Sequence, residues 1–263
     1  MKFAQFQYIL LLLIVFTNNS YGQQKDILSN TLITPKEYYL QVKQFGEFID
    51  RFNYKSDWRG NLITDEFKKA IPRKNYILYL VNNEDSRLID SKDSSYRALC
   101  SDFIAFVDDS KNPQNINLFS GQVKAFVDAQ ILYKGVKKHA KFELIPEVLP
   151  DRSAKWVINS VETDCFAMNS DSLLKHFIAP NSHETSFINI KKLISVSDPT
   201  YLLSKSTAST LLFINEIEKK HITMNNTEKI TFRISFTGWE IVVEEFVRST
   251  NNSGWLISDI KRL

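Results

Sequence analysis

From residue 122 onward the chain carries a long run of period-two hydrophobicity, the pattern of a strand with one face buried. Val123, Ala125, Val127, Ala129, Ile131 and Tyr133 fall on one face, and Ala140, Phe142, Leu144, Pro146 and Val148 follow on one face of a second segment. A turn through residues 134–137 would pair Tyr133 with Lys138, Ile131 with Ala140, Ala129 with Phe142 and Val127 with Leu144. This register sorts both strands onto one apolar and one mostly polar face, as a half-buried hairpin requires. It sets Asp128 against Glu143, a mismatch of like charges that a bulge would remove. After the polar turn Asp151-Arg152-Ser153, a third strand is expected from Trp156.

A shorter version of the pattern returns near the C-terminus. Ile230, Phe232, Ile234 and Phe236 alternate up to Thr237-Gly238, and Trp239, Ile241 and Val243 alternate away from it. A two-residue loop there pairs Phe236 with Trp239, Ile234 with Ile241 and Phe232 with Val243. The last strand starts at Trp255. Trp156-Val157-Ile158-Asn159-Ser160-Val161 is matched by Trp255-Leu256-Ile257-Ser258-Asp259-Ile260, an internal repeat in pattern rather than identity.

Helical spacing precedes each sheet segment. Thr34-Pro35-Lys36-Glu37 has cap, first-turn proline and capping glutamate in place, with Tyr39, Val42, Phe45, Phe48, Ile49 and Phe52 following. Thr64-Asp65-Glu66 opens a second helix that Pro72 interrupts. Residues 82–93 read as a charged loop, and residues 94–107 return to helical spacing. Further helices are expected over 171–177, 185–194 and 199–220.

Residues 1–22 read as a cleaved secretory leader. Lys2 supplies the positive end, residues 8–16 are apolar throughout, and Ser20-Tyr21-Gly22 places small residues at the cleavage positions. Nine apolar residues fall well short of the ~20 needed to cross a bilayer, and no later run reaches that length, so no membrane span is expected after cleavage. Loss of Lys2 leaves a chain close to neutral, which gives no electrostatic basis for binding nucleic acid. Cys100 and Cys165 are the two cysteines. They form a disulfide in an oxidising compartment or stand as two separate buried thiols, and spacing does not choose between these.

A helix layer followed by a meander of long strands that closes on a Trp-led strand resembles the NTF2-like (cystatin-like α+β cone) superfamily. The resemblance implies an α+β fold, with helices packed on curved antiparallel sheets as two tandem NTF2-like units. Residues 23–165 would form the first domain, 166–184 a linker, and 185–263 a second, smaller and more divergent domain. It also implies a conical pocket in the first unit, lined by Val127, Ala129, Ile131, Phe142, Leu144 and Trp156.

Enzymes of that superfamily place an ionisable group inside the cone, where burial shifts its pKa. Here Asp128, His139, Lys141 and Glu143 fall on the opposite face, so acid and base would have to come from Tyr39, Tyr54, Trp58 or Asp102. His139, His176, His183 and His221 include no pair at metal-binding spacing, and neither a nucleophile elbow nor a phosphate loop occurs. No metal or cofactor is therefore expected. The expected function is non-catalytic binding in a secreted or periplasmic setting. The partner is either a small apolar ligand in the first cone or a protein or cell-envelope component on a sheet face, which also allows oligomers to form. A small-molecule isomerase or lyase, and a structural or accessory subunit of an envelope assembly, are the alternatives.

Overall fold

The computed structural model describes residues 41–90, 94–166, 204–249 and 252–263. The leader at 1–22, the start of the Thr34 helix and the helices expected over 171–177 and 185–194 lie outside these residues, as does all of the expected linker but Phe166.

Among the described residues, six helices and six strands follow one another as α1 (Phe45–Phe52), α2 (Asp65–Ala70), α3 (Arg73–Leu78), α4 (Ser86–Ile89), α5 (Ser95–Val107), β1 (Val123–Tyr133), β2 (Val136–Val148), β3 (Ala154–Thr163), α6 (Lys205–Glu218), β4 (Ile222–Phe236), β5 (Trp239–Phe246) and β6 (Gly254–Arg262). The class is α+β. All six strands form one antiparallel sheet in the order β3-β2-β1-β4-β5-β6. The segments assigned to separate domains on sequence grounds thus meet along β1 and β4 in a single sheet, within one unit that spans Gln41–Leu263.

The C-terminal hairpin has the expected register. The first hairpin is shifted by two residues: Tyr133 pairs with Val136, Ala129 with Ala140, Val127 with Phe142 and Ala125 with Leu144. Its turn is the two-residue Lys134-Gly135, with φ of 50° and 81°. Two positive φ values define the tight loop whose twist matches the flanking strands, and the glycine makes the second one cheap. A shift of two leaves every side chain on its expected face. It also resolves the charge mismatch, because Asp128 now lies against Lys141 and Glu143 against Phe126.

The two meanders share a detailed geometry. Every β5–β6 pair has a counterpart in β2–β3 99 residues earlier, from Ala140 with Thr163 (Trp239 with Arg262) to Glu147 with Lys155 (Phe246 with Gly254). Each ladder has one bulge, at the same place, where Asn159 and Ser258 are the extra residues. Because β1 and β4 pair antiparallel, an approximate two-fold axis normal to the sheet relates the meanders.

The helices are exchanged across this axis. Helix α5 leads into β1, yet Phe103 packs on Phe236 and Trp239 of the second meander, with ring centroids 5.9 and 5.6 Å apart. Helix α6 leads into β4, yet Phe213 packs on Phe142 of the first, at 5.3 Å. Two apolar clusters result on the inner face. The larger joins Phe48, Phe52, Phe103, Val107, Phe236, Trp239, Ile241 and Ile260, and Phe45 stacks on Phe232 at its border. The smaller joins Ala129, Ile131, Ala140, Phe142, Val161, Phe213 and Ile222. Arg73 ties the helix layer together by donating to the carbonyls of Val107 (2.8 Å), Gln114 (2.5 Å) and Phe52 (3.3 Å). The bond to Phe52 satisfies a carbonyl at the end of α1, and the Val107 carbonyl at the end of α5 also accepts the Gln114 amide at 3.0 Å.

Candidate functional site

The six residues expected to line a cone fall into two groups. Ala129, Ile131 and Phe142 are buried in the smaller cluster, closed over by Phe213 and Ile222. Val127 and Leu144 are only partly buried, and Leu144 touches both clusters. With Trp156 and its neighbours they form an apolar strip across the inner face between the clusters. Leu144 pairs with Ile158, Val127 with Ile230, and the Trp156 ring lies 5.9 Å from Phe232. Trp156, Ile158 and Ile230 are each 39% exposed. At its Ile230 end the strip opens into a hollow of about 250 Å³ walled by Thr227, Glu245 and Trp255.

The equivalent residues of the second meander are covered. Trp255 is 9% exposed and Ile257 is fully buried. The Phe45 and Phe232 rings lie 6.2 and 5.0 Å from the Trp255 ring within the larger cluster, and the sheet is extended past β6 by two pieces of the N-terminal region. Val42 donates to the Ser253 carbonyl at 3.0 Å and accepts from the Trp255 amide at 2.8 Å. Leu80 accepts from the Ile257 amide at 2.7 Å, and Asn82 donates to the Ile257 carbonyl at 2.9 Å. Both contacts are parallel bridges. Side chains fix these pieces in place. Asn252 donates to the carbonyls of Val81 (2.9 Å) and Tyr79 (3.2 Å) and accepts from the Asn83 amide (2.9 Å). Arg51, buried and paired with Glu47, donates to the Gln41 carbonyl. Gly254, with φ of 87°, leaves the space that the Val42 backbone fills. Lys155 and Ser153 occupy the corresponding places beside β3.

The outer face of the sheet is polar. Phe126 lies between two cations, with the Arg233 guanidinium 4.6 Å and the Lys141 ammonium 5.8 Å from its ring centre. These three residues border a shallow hollow of about 400 Å³ that runs toward Val242 and Asp259. Beside them Glu143 accepts from Lys124 (2.8 Å) and Asn159 (2.9 Å). Burial alone would raise the Glu143 carboxyl, but these hydrogen bonds outweigh it and hold the group below the ordinary carboxylate value.

Three of the residues named as alternative sources of acid and base have structural partners. The Tyr54 hydroxyl donates to the Ile71 carbonyl at 2.5 Å, Trp58 packs edge-on against Phe67, and Asp102 pairs with Arg262 at 3.8 Å. Tyr39 lies outside the described residues. His139 is exposed, 3.1 Å from Glu228. Cys100 and Cys165 are free thiols in different surroundings, Cys100 within the larger cluster and Cys165 against the smaller. Burial pushes Cys100 up to about 11 and also raises Cys165, so neither is a thiolate nucleophile near neutral pH. Among the described residues no His, Cys, Asp and Glu side chains gather in a group able to hold a metal ion, and no helix is long and apolar enough to cross a membrane. The sequence marked Trp156 but missed Ile158 and Ile230. Their place in the alternation was visible, but their exposure depends on what the helices leave uncovered.

Comparison with protein-family models, with curated proteins and with solved structures found no match.

Proposed function

We propose that this is a non-catalytic binding protein that takes an apolar ligand or partner on the inner-face strip beside β3. The observation that carries the reading is the contrast between equivalent residues. Trp156 and Ile158 are 39% exposed, whereas Trp255 and Ile257 are closed over by the protein's own chain. Large apolar side chains held in line on a rigid sheet gain about 25 cal/mol per Å² when covered, so a partner that covers them has a driving force already in place. The leader-like residues 1–22 support a secreted or periplasmic setting for this role. The matched ladders support descent of the two meanders from one duplicated unit, and helices packed on an antiparallel sheet are in keeping with a divergent NTF2-like origin. A second surface for a protein or cell-envelope partner is the outer face, where Phe126 between Arg233 and Lys141 has the aromatic and arginine character of interface anchors.

Native mass spectrometry of the chain freed of residues 1–22 and recovered from its own host tests the reading. Wild type should carry a bound molecule or co-purifying polypeptide that Ile158→Glu sheds. A ligand retained equally by both proteins would place binding elsewhere.

A further inference from the structure

We infer that the open edge of β3 pairs with an extended segment of a partner polypeptide, running parallel to β3 and hydrogen-bonded to the backbone of Ile158. The inference rests on the binding role proposed above and adds the chemical nature of the partner and its direction.

The protein contains its own template for the contact. On β6 both polar backbone groups of Ile257 point away from β5, because the amide donates to Leu80 and the carbonyl accepts from Asn82. In an antiparallel ladder this marks Val243–Ile257 as a pair that exchanges no hydrogen bonds with each other. Leu144–Ile158 occupies the same rung of the matching ladder, followed by the same one-residue bulge. The Ile158 amide and carbonyl therefore also point outward, and no described residue outside the ladder takes either. An open strand edge, with its row of outward amides and carbonyls, is a template for a further strand.

The limits of the opening are also visible. Toward the C-terminal end of β3, the Thr210 hydroxyl of α6 accepts the Val161 amide at 2.9 Å and ends the free edge. Toward the N-terminal end, Lys155 stands where β6 has Gly254. A Cβ on Gly254 would lie 1.9 Å from the Val42 carbonyl oxygen, so no mirror image of the Val42 contact fits here. What remains is the counterpart of residues 80–82, centred on Ile158 and flanked by the exposed ring of Trp156. The residue bridging Ile257 is Val81, itself buried, so the partner is expected to offer a branched aliphatic side chain at that point and a backbone N–H one residue later. Main-chain pairing would supply affinity, and the Trp156–Ile158 strip would select the side chain. A second copy that docked β3 on β3 about a two-fold axis would run antiparallel, opposite to the template.

The test uses a synthetic peptide with the sequence of residues 78–84, capped at both ends, and amide hydrogen exchange of the chain freed of residues 1–22. Saturating peptide should slow exchange at Ile158 by about tenfold or more, with little change at Ile257, whose site is already filled. N-methylation of the peptide at the position of Asn82 should abolish that protection, since it removes the donor to the Ile158 carbonyl. Equal binding by the methylated peptide would overturn strand pairing and leave apolar binding on the strip intact. An Ile158 amide already protected in the free protein would also overturn the inference. Protection lost on dilution would identify a second copy, and protection unchanged on dilution the chain's own residues. Failure of the unmethylated peptide to bind, together with loss of any host-derived ligand by Ile158→Glu, would refute pairing while sustaining the wider reading.

Discussion

The two meanders have the same ladder, the same bulge and the same Trp-led edge strand, yet among the described residues one edge is finished and the other is open. Past β6 the sheet continues through Val42 and residues 80–82, secured by Asn252, Arg51 and the space above Gly254. Past β3 the described residues add a single hydroxyl contact at Val161. The difference shows that Trp and Ile at these rungs do not by themselves decide between core and binding surface. Residues distant in sequence decide it, by covering one copy. The covered meander also carries the heavier aromatic load, with Phe48, Phe52, Phe103, Phe236 and Trp239 in one cluster, whereas the other relies on Phe213 and Phe142.

That asymmetry should appear first in the exchanged helices. Phe103 is fully buried and touches Phe52, Phe236 and Trp239. Phe103→Ala should cost about 4–5 kcal/mol of unfolding free energy, the upper range for a large aromatic deletion. Phe213→Ala removes fewer ring contacts and should cost about 3 kcal/mol. Urea unfolding of both variants measures the difference. Equal costs would mean that the two clusters contribute alike and that the crowded aromatic face confers no extra stability. Exchange also predicts where each lesion appears. Phe103→Ala should deprotect amides of β5 and β6, and Phe213→Ala those of β2 and β3, each on the meander that its helix does not lead into.

The next comparison swaps one position between the edges. Gly254→Ala places a methyl against the Val42 backbone at a positive φ, and the two strains together should cost about 3 kcal/mol. Amides of Val42 and Trp255 should lose protection together, because the carbonyl of one receives the other. The converse change, Lys155→Gly, introduces only the ordinary cost of glycine in an exposed strand, about 0.5–1 kcal/mol. If Gly254→Ala were as mild as Lys155→Gly, the cover over β6 would be a loose contact rather than part of the sheet.

Much of this architecture was legible from residue order, and the failures have identifiable causes. Alternation and the Thr237-Gly238 loop fixed the second hairpin outright. In the first hairpin, reading all of Lys134-Gly135-Val136-Lys137 as the turn masked the two-residue Lys134-Gly135 turn, and the Asp128–Glu143 mismatch was the available sign that the register was two residues out. The repeat could be read at Trp156 and Trp255, but pairing of β1 with β4 could not. Both strands look alike to any partner with an apolar face, and the choice depends on closing a loop of roughly a hundred residues. The candidate site divided for the same reason. Ala129, Ile131 and Phe142 lie on the expected face, but α6 closes over them, while Val127, Leu144 and Trp156 fall between the helices.

The smallest expected effect concerns acid sensitivity, and it again separates the meanders. At the end of α6, Glu216 accepts from His221 Nδ1 at 2.9 Å and from Lys219 at 3.2 Å, close to Lys134 in the first hairpin turn. The His221 hydrogen bond chiefly, with Lys219 and Tyr133 adding to it, lowers the Glu216 carboxyl to about 2. A carboxyl whose folded pKa lies below its unfolded value of about 4.3 contributes stability that is fully present above that value. The contribution declines as pH falls from there toward 2, because the unfolded chain takes up the proton first. The turn and the helix end are also joined by the Lys134 amide, which donates to the His221 carbonyl at 2.7 Å, so loosening at Glu216 acts on the cover of the first meander. Thermal unfolding followed from pH 5 to pH 2 should therefore fall less steeply in Glu216→Gln than in wild type, with the two proteins converging at the acid end. Hydrogen exchange over the same range should show amides of β1 and β2 near the turn opening before those of β5 and β6. Parallel pH profiles for the two proteins would mean that the Glu216 cluster is solvated too well to couple to folding, and that acid does not distinguish the halves.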